Sequence, residues 1–315
     1  PVFQISILSA GMLRCSGNMR VPSLLSMLMC LLDVVFNFFL IFPSREIEGL
    51  GCSFWVPGAG LGVEGAAWGT GLAELVVAVL MMWYLFTRSR DLRLVGERGK
   101  FRPTIKTLKK AFHIGIPMGV EHAVICGAQI MTTVIVAPLG VFAIAANSFA
   151  ITAESLCYMP GYGIADAATT LVGQSYGAGR RDLTRRFAYI TVYMGMLVMG
   201  VMGVIMYVGA PFIIGTMTPD AEVLALGTEA LRIEAFAEPM FAASIVAYGV
   251  FVGMGNTIIP SVMNFVSIWA VRLTLAAWLA PLMGLKGVWL AMCIELCFRG
   301  CIFLIRLRHV FRRSK

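Results

Sequence analysis

The sequence predicts an all-α polytopic membrane protein, and two observations support this prediction. The first is composition: 59% of the 315 residues are hydrophobic and only 13% are charged, whereas about a quarter of the residues in a soluble domain are charged. The second is the presence of long apolar segments, each able to cross a hydrocarbon core of about 30 Å as a helix of about 20 residues. The eight predicted spans are residues 22–43, 66–86, 111–138, 141–171, 187–214, 229–254, 260–281 and 284–305. Residues 1–13 are predicted to be the tail of a further span.

The chain contains one segment twice. Pro1–Ser23 aligns without gaps with Pro239–Ser261, and nine positions are identical. A second match follows each copy, Leu61–Thr70 with Met283–Met292. Similarity at so long a period indicates a duplicated domain. Because about 130 residues that precede the second copy have no counterpart before the first, we expect the chain to lack most of its first repeat.

Positive charge is concentrated in three segments. Lysine and arginine crowd the linker at residues 87–110, the loop at residues 180–186 and the tail at residues 306–315. With the spans assigned as above, all three lie on one side of the membrane, which the positive-inside rule identifies as the cytoplasm. Topology therefore explains the net charge of +8, and we expect no nucleic-acid partner. The eight cysteines form no CxxC motif, and we expect neither a metal site nor a cofactor.

Ionisable residues inside the predicted spans are the candidates for function, because placing a charge within a bilayer costs several kcal/mol. These residues are Asp33, Glu74, Glu121, Glu154, Asp166, Arg272 and Glu295. The alternative for each is a structural role, such as an ion pair between Arg272 and Glu295. For Glu74, Arg272 and Glu295 we favour the structural role.

Glu121 is the strongest candidate on physical grounds. It follows Pro117 by one helical turn, and backbone freed by a proline is tolerated in a membrane where it lines a cavity. Burial disfavours the charged form of a carboxyl group, so Glu121 could bind and release a proton. We expect Glu154, Asp166 and the intervening Tyr158 to line the same cavity.

Three motifs are similar to those of one transporter family. They are LVGQSYGAG at Leu171–Gly179, GLGVEGAAWGT at Gly60–Thr70, and a GNxxxP turn that begins at Gly17 and again at Gly255. In these motifs, their order and their spacing, the whole chain resembles the multidrug and toxic compound extrusion (MATE) family, and within it the DinF-like branch.

The resemblance implies two pseudo-symmetric lobes of six helices each in the full protein. Residues 1–86 would be the end of helix four and helices five and six of the first lobe. Residues 87–110 would be a basic cytoplasmic linker, and residues 111–315 a complete second lobe. We therefore expect about eight complete transmembrane helices and part of one, with helices one to three absent from the chain.

The resemblance also implies an activity, which is cation-coupled antiport that exports amphipathic organic cations by alternating access of the two lobes. The expected partners are small organic substrates and the lipid bilayer, for a monomeric multipass protein of the plasma (inner) membrane. Either H⁺ or Na⁺ could be the coupling ion. One alternative is a flippase for lipid-linked sugars, which would favour several basic residues in its cavity, whereas only Arg272 lies deep in a span. The other is an intramembrane enzyme, which would need a nucleophile–base pair or a HExxH motif.

The family pattern matches three residues of the first lobe. Many members hold the cation between an acid on helix one and polar groups on helices five and six. Asp33 and Asn37 on helix five and Thr70 on helix six match these polar groups. The family usually has the asparagine first and the aspartate second, so the order here is reversed.

In the second lobe, Glu121 matches the acid that many members carry on helix seven. The acid that some members carry on helix ten aligns with Phe241, and Glu238 is the nearest acidic residue. Glu238 and Arg272 are therefore added to the residues predicted to line the cavity.

Overall fold

The computed structural model describes residues 1–49, 52–89 and 104–312, and these residues are almost entirely helical. The chain divides into two compact units, Pro1–Arg102 and Pro103–Lys315. Each unit is therefore described by itself.

The predicted basic linker, residues 87–110, is described only in part. Residues 90–103 lie outside the described part of the chain, as do the last three residues, 313–315. The division between the two units falls inside this linker.

In its described residues, the first unit contains three helices and one β-hairpin. Its elements are α1 (Val2–Cys15), α2 (Arg20–Ile41), β1 (Pro43–Gly49), β2 (Cys52–Ala59) and α3 (Val63–Thr87). Ala10, Val77 and Met81 form the small buried core of the unit, against which Leu25 and Met29 of α2 pack.

The hairpin occupies most of the Gly/Pro-rich segment at residues 44–60, which connects two of the predicted spans. Its strands pair antiparallel, from Pro43 opposite Ala59 to Gly49 opposite Cys52. A long loop without secondary structure is uncommon in a compact domain. Pairing the two arms gives their backbone N–H and C=O groups hydrogen-bond partners, which an irregular loop would have to find elsewhere.

The described part of the second unit, residues 104–312, is built from eight α-helices. They are α4 (Ile105–Val136), α5 (Val141–Gly177), α6 (Arg181–Met217), α7 (Ala221–Ala235), α8 (Glu238–Gly253), α9 (Ile258–Val266), α10 (Leu273–Met283) and α11 (Leu285–Arg312). A 3₁₀ turn at Ala137–Leu139 extends α4, and a π-helical segment at Ser267–Arg272 joins α9 to α10.

The predicted number of membrane spans is confirmed. Seven helices in the described part of the chain are long and apolar enough to cross a membrane, and the bent pair α7 and α8 brings the number to eight if the pair is counted as one span. The helix axis bends by 59° between these two helices. The helix α1 occupies the segment predicted to be the tail of a further span.

Prolines inside the spans behave in two ways. Pro239 is the second residue of α8 and follows the break after α7, as expected for a residue that favours the first turn of a helix. In contrast, α4, α5 and α6 continue through Pro117, Pro160 and Pro211. The helices stay continuous at these three prolines, because a proline removes a single backbone donor and the flanking hydrogen bonds maintain the helix.

The sequence repeat is also a repeat of backbone conformation. Gly17 and Gly255 occupy matching positions and have φ angles of 87° and 76°, a region that glycine adopts without steric cost. Around them the hydrogen bonds correspond, since Asn18 N–H donates to the carbonyl of Leu13 and Asn256 N–H to that of Phe251. Each copy of the repeat therefore ends a helix with the same turn.

Small residues let α8 approach its neighbours closely. A Cβ atom added at Gly249 would lie 2.7 Å from the carbonyl oxygen of Ala165 on α5, and one added at Gly253 would lie 2.6 Å from that of Thr169. At Gly300 of α11, an added Cβ would lie 2.5 Å from a carbonyl oxygen of α8. Helices in membranes associate through such close contacts of small residues. These contacts fix the position of α8 in the unit.

Candidate functional site

Glu121 of α4 is the centre of a buried polar network in the second unit. The residue is 7% exposed. The hydroxyl of Tyr248 on α8 donates to its Oε2 atom, and so does the hydroxyl of Ser261 on α9, at 2.7 Å. The side-chain amide of Asn264, one turn further along α9, donates to Oε1. Three donors from two other helices thus hold both oxygens of the carboxyl group.

The contacts of Ser261 allow this network to exist in two protonation states. Its Oγ atom lies within hydrogen-bond distance of Glu121 Oε2 and also of the carbonyl oxygen of Thr257, at 2.8 Å. A hydroxyl has one proton and can donate to only one of these acceptors. When Glu121 is ionised, Ser261 donates to it. When Glu121 is protonated, its carboxyl group can donate to the hydroxyl oxygen of Ser261. The hydroxyl of Ser261 then donates to the carbonyl oxygen of Thr257.

Glu121 forms part of the wall of a cavity of about 470 Å³. Helices α4, α5, α8, α9 and α11 all contribute to the lining. Three aromatic side chains line it, Tyr162, Phe241 and Tyr248, beside apolar residues such as Met118. Because aromatic faces attract cations, the cavity offers surfaces suited to a molecule that is both apolar and positively charged.

Both acidic and basic groups line this cavity. Asp166 lies on the α5 side and Arg299 on the α11 side. The guanidinium of Arg299 stands 5.5 Å from the centre of the Phe241 ring and 3.2 Å from Oε1 of Glu295. Arg299 therefore connects the cavity wall to a buried group of charges behind it.

Of the residues predicted to line the cavity with Glu121, the structure places Asp166 there and not Glu154 or Tyr158. Glu154 precedes Asp166 by twelve residues on α5, which is about 18 Å along a helix. Tyr158 lies behind the wall, with ring-centre distances of 5.5 Å to Tyr162 and 6.0 Å to Phe241.

Glu238 and Arg272, also predicted to line the cavity, lie elsewhere. Glu238 is completely buried, because it is the first residue of α8, where that helix begins inside the unit. Arg272 forms an ion pair with Glu295, with 2.9 Å between Nη2 and Oε2. The structural role considered for Arg272 is thus the one that the structure shows.

In the first unit, two of the three predicted residues are brought together. The amide of Asn37 donates to Oδ1 of Asp33 at 3.2 Å on α2. α3 approaches this pair closely, since a Cβ atom added at Gly69 would lie 2.3 Å from Oδ1 of Asn37. Thr70 is the next residue of α3 and is exposed in this unit.

Sequence reasoning did not identify Tyr248, Ser261, Asn264 or Arg299. Two signals were available in the sequence. Ser261 is one of the identical positions of the repeat, and Asn264 follows it at a spacing that places both on one helix face. Arg299 lies inside the predicted span 284–305, one helical turn after Glu295, and is missing from the ionisable candidates of that span.

Comparison with known proteins identifies relatives along nearly the whole chain. A probable multidrug resistance protein NorM of Thermotoga maritima is 28% identical over 305 residues, which is 96% of this chain and 63% of the relative. The multidrug resistance protein MdtK of Yersinia enterocolitica is 25% identical over 287 residues, which is 88% of this chain and 60% of the relative. The chain therefore spans less than two thirds of the length of these curated relatives.

Solved structures show the same fold. A MOP superfamily transporter from Pyrococcus furiosus matches with a TM-score of 0.85 at 18% identity, over 98% of this chain and 66% of the other. A mutant of the Vibrio cholerae MATE transporter VcmN also gives a TM-score of 0.85, at 17% identity, over 99% of this chain and 68% of the other. The MatE family model matches residues 117–278, a region that contains Glu121 and its three hydrogen-bond partners. The chain belongs to the MatE family, which is the multidrug and toxic compound extrusion family that its motifs resemble.

Proposed function

We propose that the protein is a secondary active antiporter that exports amphipathic organic cations in exchange for H⁺ or Na⁺. Family membership and the multidrug resistance proteins among its relatives support this proposal. The observation that carries it is the position of Glu121, a buried acid in the wall of an aromatic-lined cavity, whose hydrogen bonds fit both of its protonation states.

The proposed mechanism follows from these contacts. The aromatic faces of Tyr162 and Phe241 bind the apolar cation, and the carboxylates of Glu121 and Asp166 supply the compensating charge. When Glu121 takes up the coupling ion, the negative charge that favours the cation is neutralised. The cavity then releases the cation. Alternating access of two repeated lobes would expose these steps to opposite sides of the membrane.

The proposed topology places the protein in the plasma membrane as a monomer. The linker at residues 87–110 and the C-terminus would lie in the cytoplasm, since basic residues accumulate on that side. Arg181, Arg185 and Arg186 at the start of α6 belong to the same side in this scheme.

The cavity favours this function over the two alternatives. A flippase for lipid-linked sugars would need several basic groups to hold a pyrophosphate, and Arg299 is the one arginine in the described lining of the cavity, opposite two acids. An intramembrane enzyme is disfavoured by the family, since the named relatives are multidrug resistance proteins.

The test is ethidium uptake into inverted membrane vesicles from cells that express the gene, under an imposed pH gradient or Na⁺ gradient. We expect gradient-driven uptake in the wild type and loss of that uptake in Glu121→Gln, because the amide cannot exchange a proton or hold a cation by charge. The matched control is Glu222→Gln, which neutralises an exposed acid at the start of α7 and should leave uptake unchanged.

The outcomes separate the parts of the proposal. Uptake driven by only one gradient identifies the coupling ion. Uptake that Glu121→Gln leaves unchanged would contradict the role of Glu121 and point to Asp33 and Asn37 in the first unit. Absence of uptake under either gradient would contradict cation export itself.

A further inference from the structure

Two glutamates stand on either side of the break between α7 and α8. Glu234 is the penultimate residue of α7, and Glu238 is the first residue of α8. Their side chains are 1% and 0% exposed. None of their four carboxyl oxygens has a hydrogen-bond partner in the described part of the chain. Buried polar groups without partners are rare in native proteins and indicate a function or an unseen ligand.

Other charged and titratable groups face this pair from the neighbouring helices. α7 packs against α5, α6 and α11, and α8 packs against the same three helices. The electrostatic neighbours of the pair are Glu154 and Cys157 on α5, Cys293, Glu295, Cys297 and Arg299 on α11, and Arg272 of the π-helical segment. On the α6 side, a Cβ added at Gly203 would lie 3.1 Å from Cβ of Glu238, so the backbone of α6 passes close to this acid.

The charges of this group do not balance if every acid is ionised. It contains four glutamates and two arginines, and Glu295 already makes ion pairs with both arginines. Two guanidinium groups can offset at most two of the four carboxylates. Ionisation of all four would therefore leave two uncompensated negative charges in the interior, where the energetic cost is far larger than in water.

The helix ends determine which acid is better suited to carry a proton. The N-terminus of a helix favours a negative charge and the C-terminus disfavours one. Glu238 lies at the N-terminus of α8 and Glu234 at the C-terminus of α7. The backbone thus favours a carboxylate at Glu238 and a neutral, protonated acid at Glu234.

The donor geometry does not suit a metal ion. Among the described residues, no group of three or more histidine, cysteine, aspartate or glutamate side chains is arranged to hold one. A proton needs no such convergence, because a single carboxyl group binds it.

We propose that Glu234 and Glu238 form a second proton-binding site, distinct from Glu121, at the break between α7 and α8. Tyr248, the partner of Glu121 on α8, lies ten residues beyond Glu238, or about 15 Å along the helix, so the two sites are separate. A role of this site in transport rests on the function proposed above, whereas proton binding itself does not.

Infrared spectroscopy of the purified protein in lipid nanodiscs tests the proposal, because the carbonyl band of a protonated carboxyl group is absent from the ionised form. We expect the wild type to show this band at neutral pH and to lose it as the pH is raised. Glu234→Gln should lower the band by the amplitude of one carboxyl group per protein. Glu238→Gln should lose the band at lower pH than the wild type, because removing the negative neighbour makes ionisation of Glu234 easier.

Two controls complete this experiment. Glu222→Gln should leave the band unchanged. If Glu234→Gln does not fold, Glu234→Asp keeps the acid and should shift the frequency of the band, because aspartic and glutamic acid side chains absorb differently. A band that is absent in the wild type, or that neither substitution of Glu234 changes, would overturn the proposal.

The measurement is independent of transport. If the band behaves as expected while vesicles show no gradient-driven uptake, the proton site stands and the proposed function fails. If uptake occurs and the band does not respond to the variants, the proposed function stands and this inference fails.

Discussion

Replacing Arg272 with methionine is expected to destabilise the second unit by about 3–5 kcal/mol, the cost of leaving one member of a buried ion pair without its partner. Arg272 donates to Oε2 of Glu295 twice, through Nε at 3.1 Å and Nη2 at 2.9 Å. Glu295 is completely buried, so water cannot replace these donors. Methionine preserves much of the length of the side chain and removes the charge.

The other contacts of Glu295 place the expected cost at the lower end of this range. Its Oε1 atom still accepts from the hydroxyl of Ser267 at 2.6 Å and lies 3.2 Å from Nε of Arg299. The charge is therefore partly compensated after the substitution, while Oε2 loses both of its donors. We expect a loss of about 3 kcal/mol.

Equilibrium unfolding in mixed detergent micelles measures this loss, with Lys286→Met as the matched control. Lys286 forms an ion pair of similar length with Glu229, 2.8 Å, but the two side chains are 47% and 46% exposed. An exposed pair contributes about 0–1 kcal/mol, so the control should unfold almost as the wild type does. Burial, and not the presence of an ion pair, would account for the difference.

A double-mutant cycle with Glu295→Gln tests whether the effect belongs to the pair. Neutralising Glu295 removes the uncompensated charge that Arg272→Met leaves behind, so the double variant should lose less stability than the sum of the single variants. For residues in contact we expect a coupling energy of about 1–3 kcal/mol. The reasoning is refuted if the effects of the two substitutions add, or if Arg272→Met and Lys286→Met unfold alike.

The remaining predictions concern close helix contacts. Gly249→Ala would bring a methyl group within 2.7 Å of the Ala165 carbonyl and should cost about 1–3 kcal/mol by overpacking, measured by thermal unfolding in detergent. The control is Gly163→Ala, on the α5 helix that contains Ala165, where no atom lies within 4 Å of the added Cβ. This substitution should be neutral or stabilising by up to about 1 kcal/mol. Equal effects of the two substitutions would contradict this account. In the first unit, Gly69→Ala should displace the Asn37 amide, 2.3 Å from the added Cβ, and so change the nitrogen chemical shift of that amide in an NMR spectrum. An unchanged shift would show that α3 can move aside.

The sequence was sufficient to predict the helices because a membrane span depends on the length and polarity of one local segment. All eight spans could be located in this way. Pro239 favours a kink or a locally opened helix and marks the break in the span at residues 229–254, but a proline alone does not fix where α7 ends. The contacts of that segment with α5, α6 and α11 decide where the helix ends, and those contacts are not local.

The candidate site was predictable only at its centre. Glu121 could be found as an acid inside a span, one turn after a proline. Its partners Tyr248, Ser261 and Asn264 are 127, 140 and 143 residues away in the sequence, and no periodicity relates residues on different helices. Glu154 was predicted to line the cavity of Glu121, but it lies at a different depth along its helix. Residues on one helix can serve different sites at different depths.

The helix α8 carries residues of both proposed sites, so a movement of this helix would affect both. Glu238 is the first residue of this helix, and Tyr248, which donates to Glu121, lies about 15 Å further along it. A change of about 4° in the direction of α8 at its first residue would move Tyr248 by about 1 Å, which exceeds the range of distances over which a hydrogen bond is strong. Loss of a proton from Glu234 would place two like charges at adjacent turns on either side of the break, and relief of their repulsion requires a movement at this point. A small change of the bend between α7 and α8 is therefore sufficient to release one of the three donors that hold Glu121 in the cavity wall.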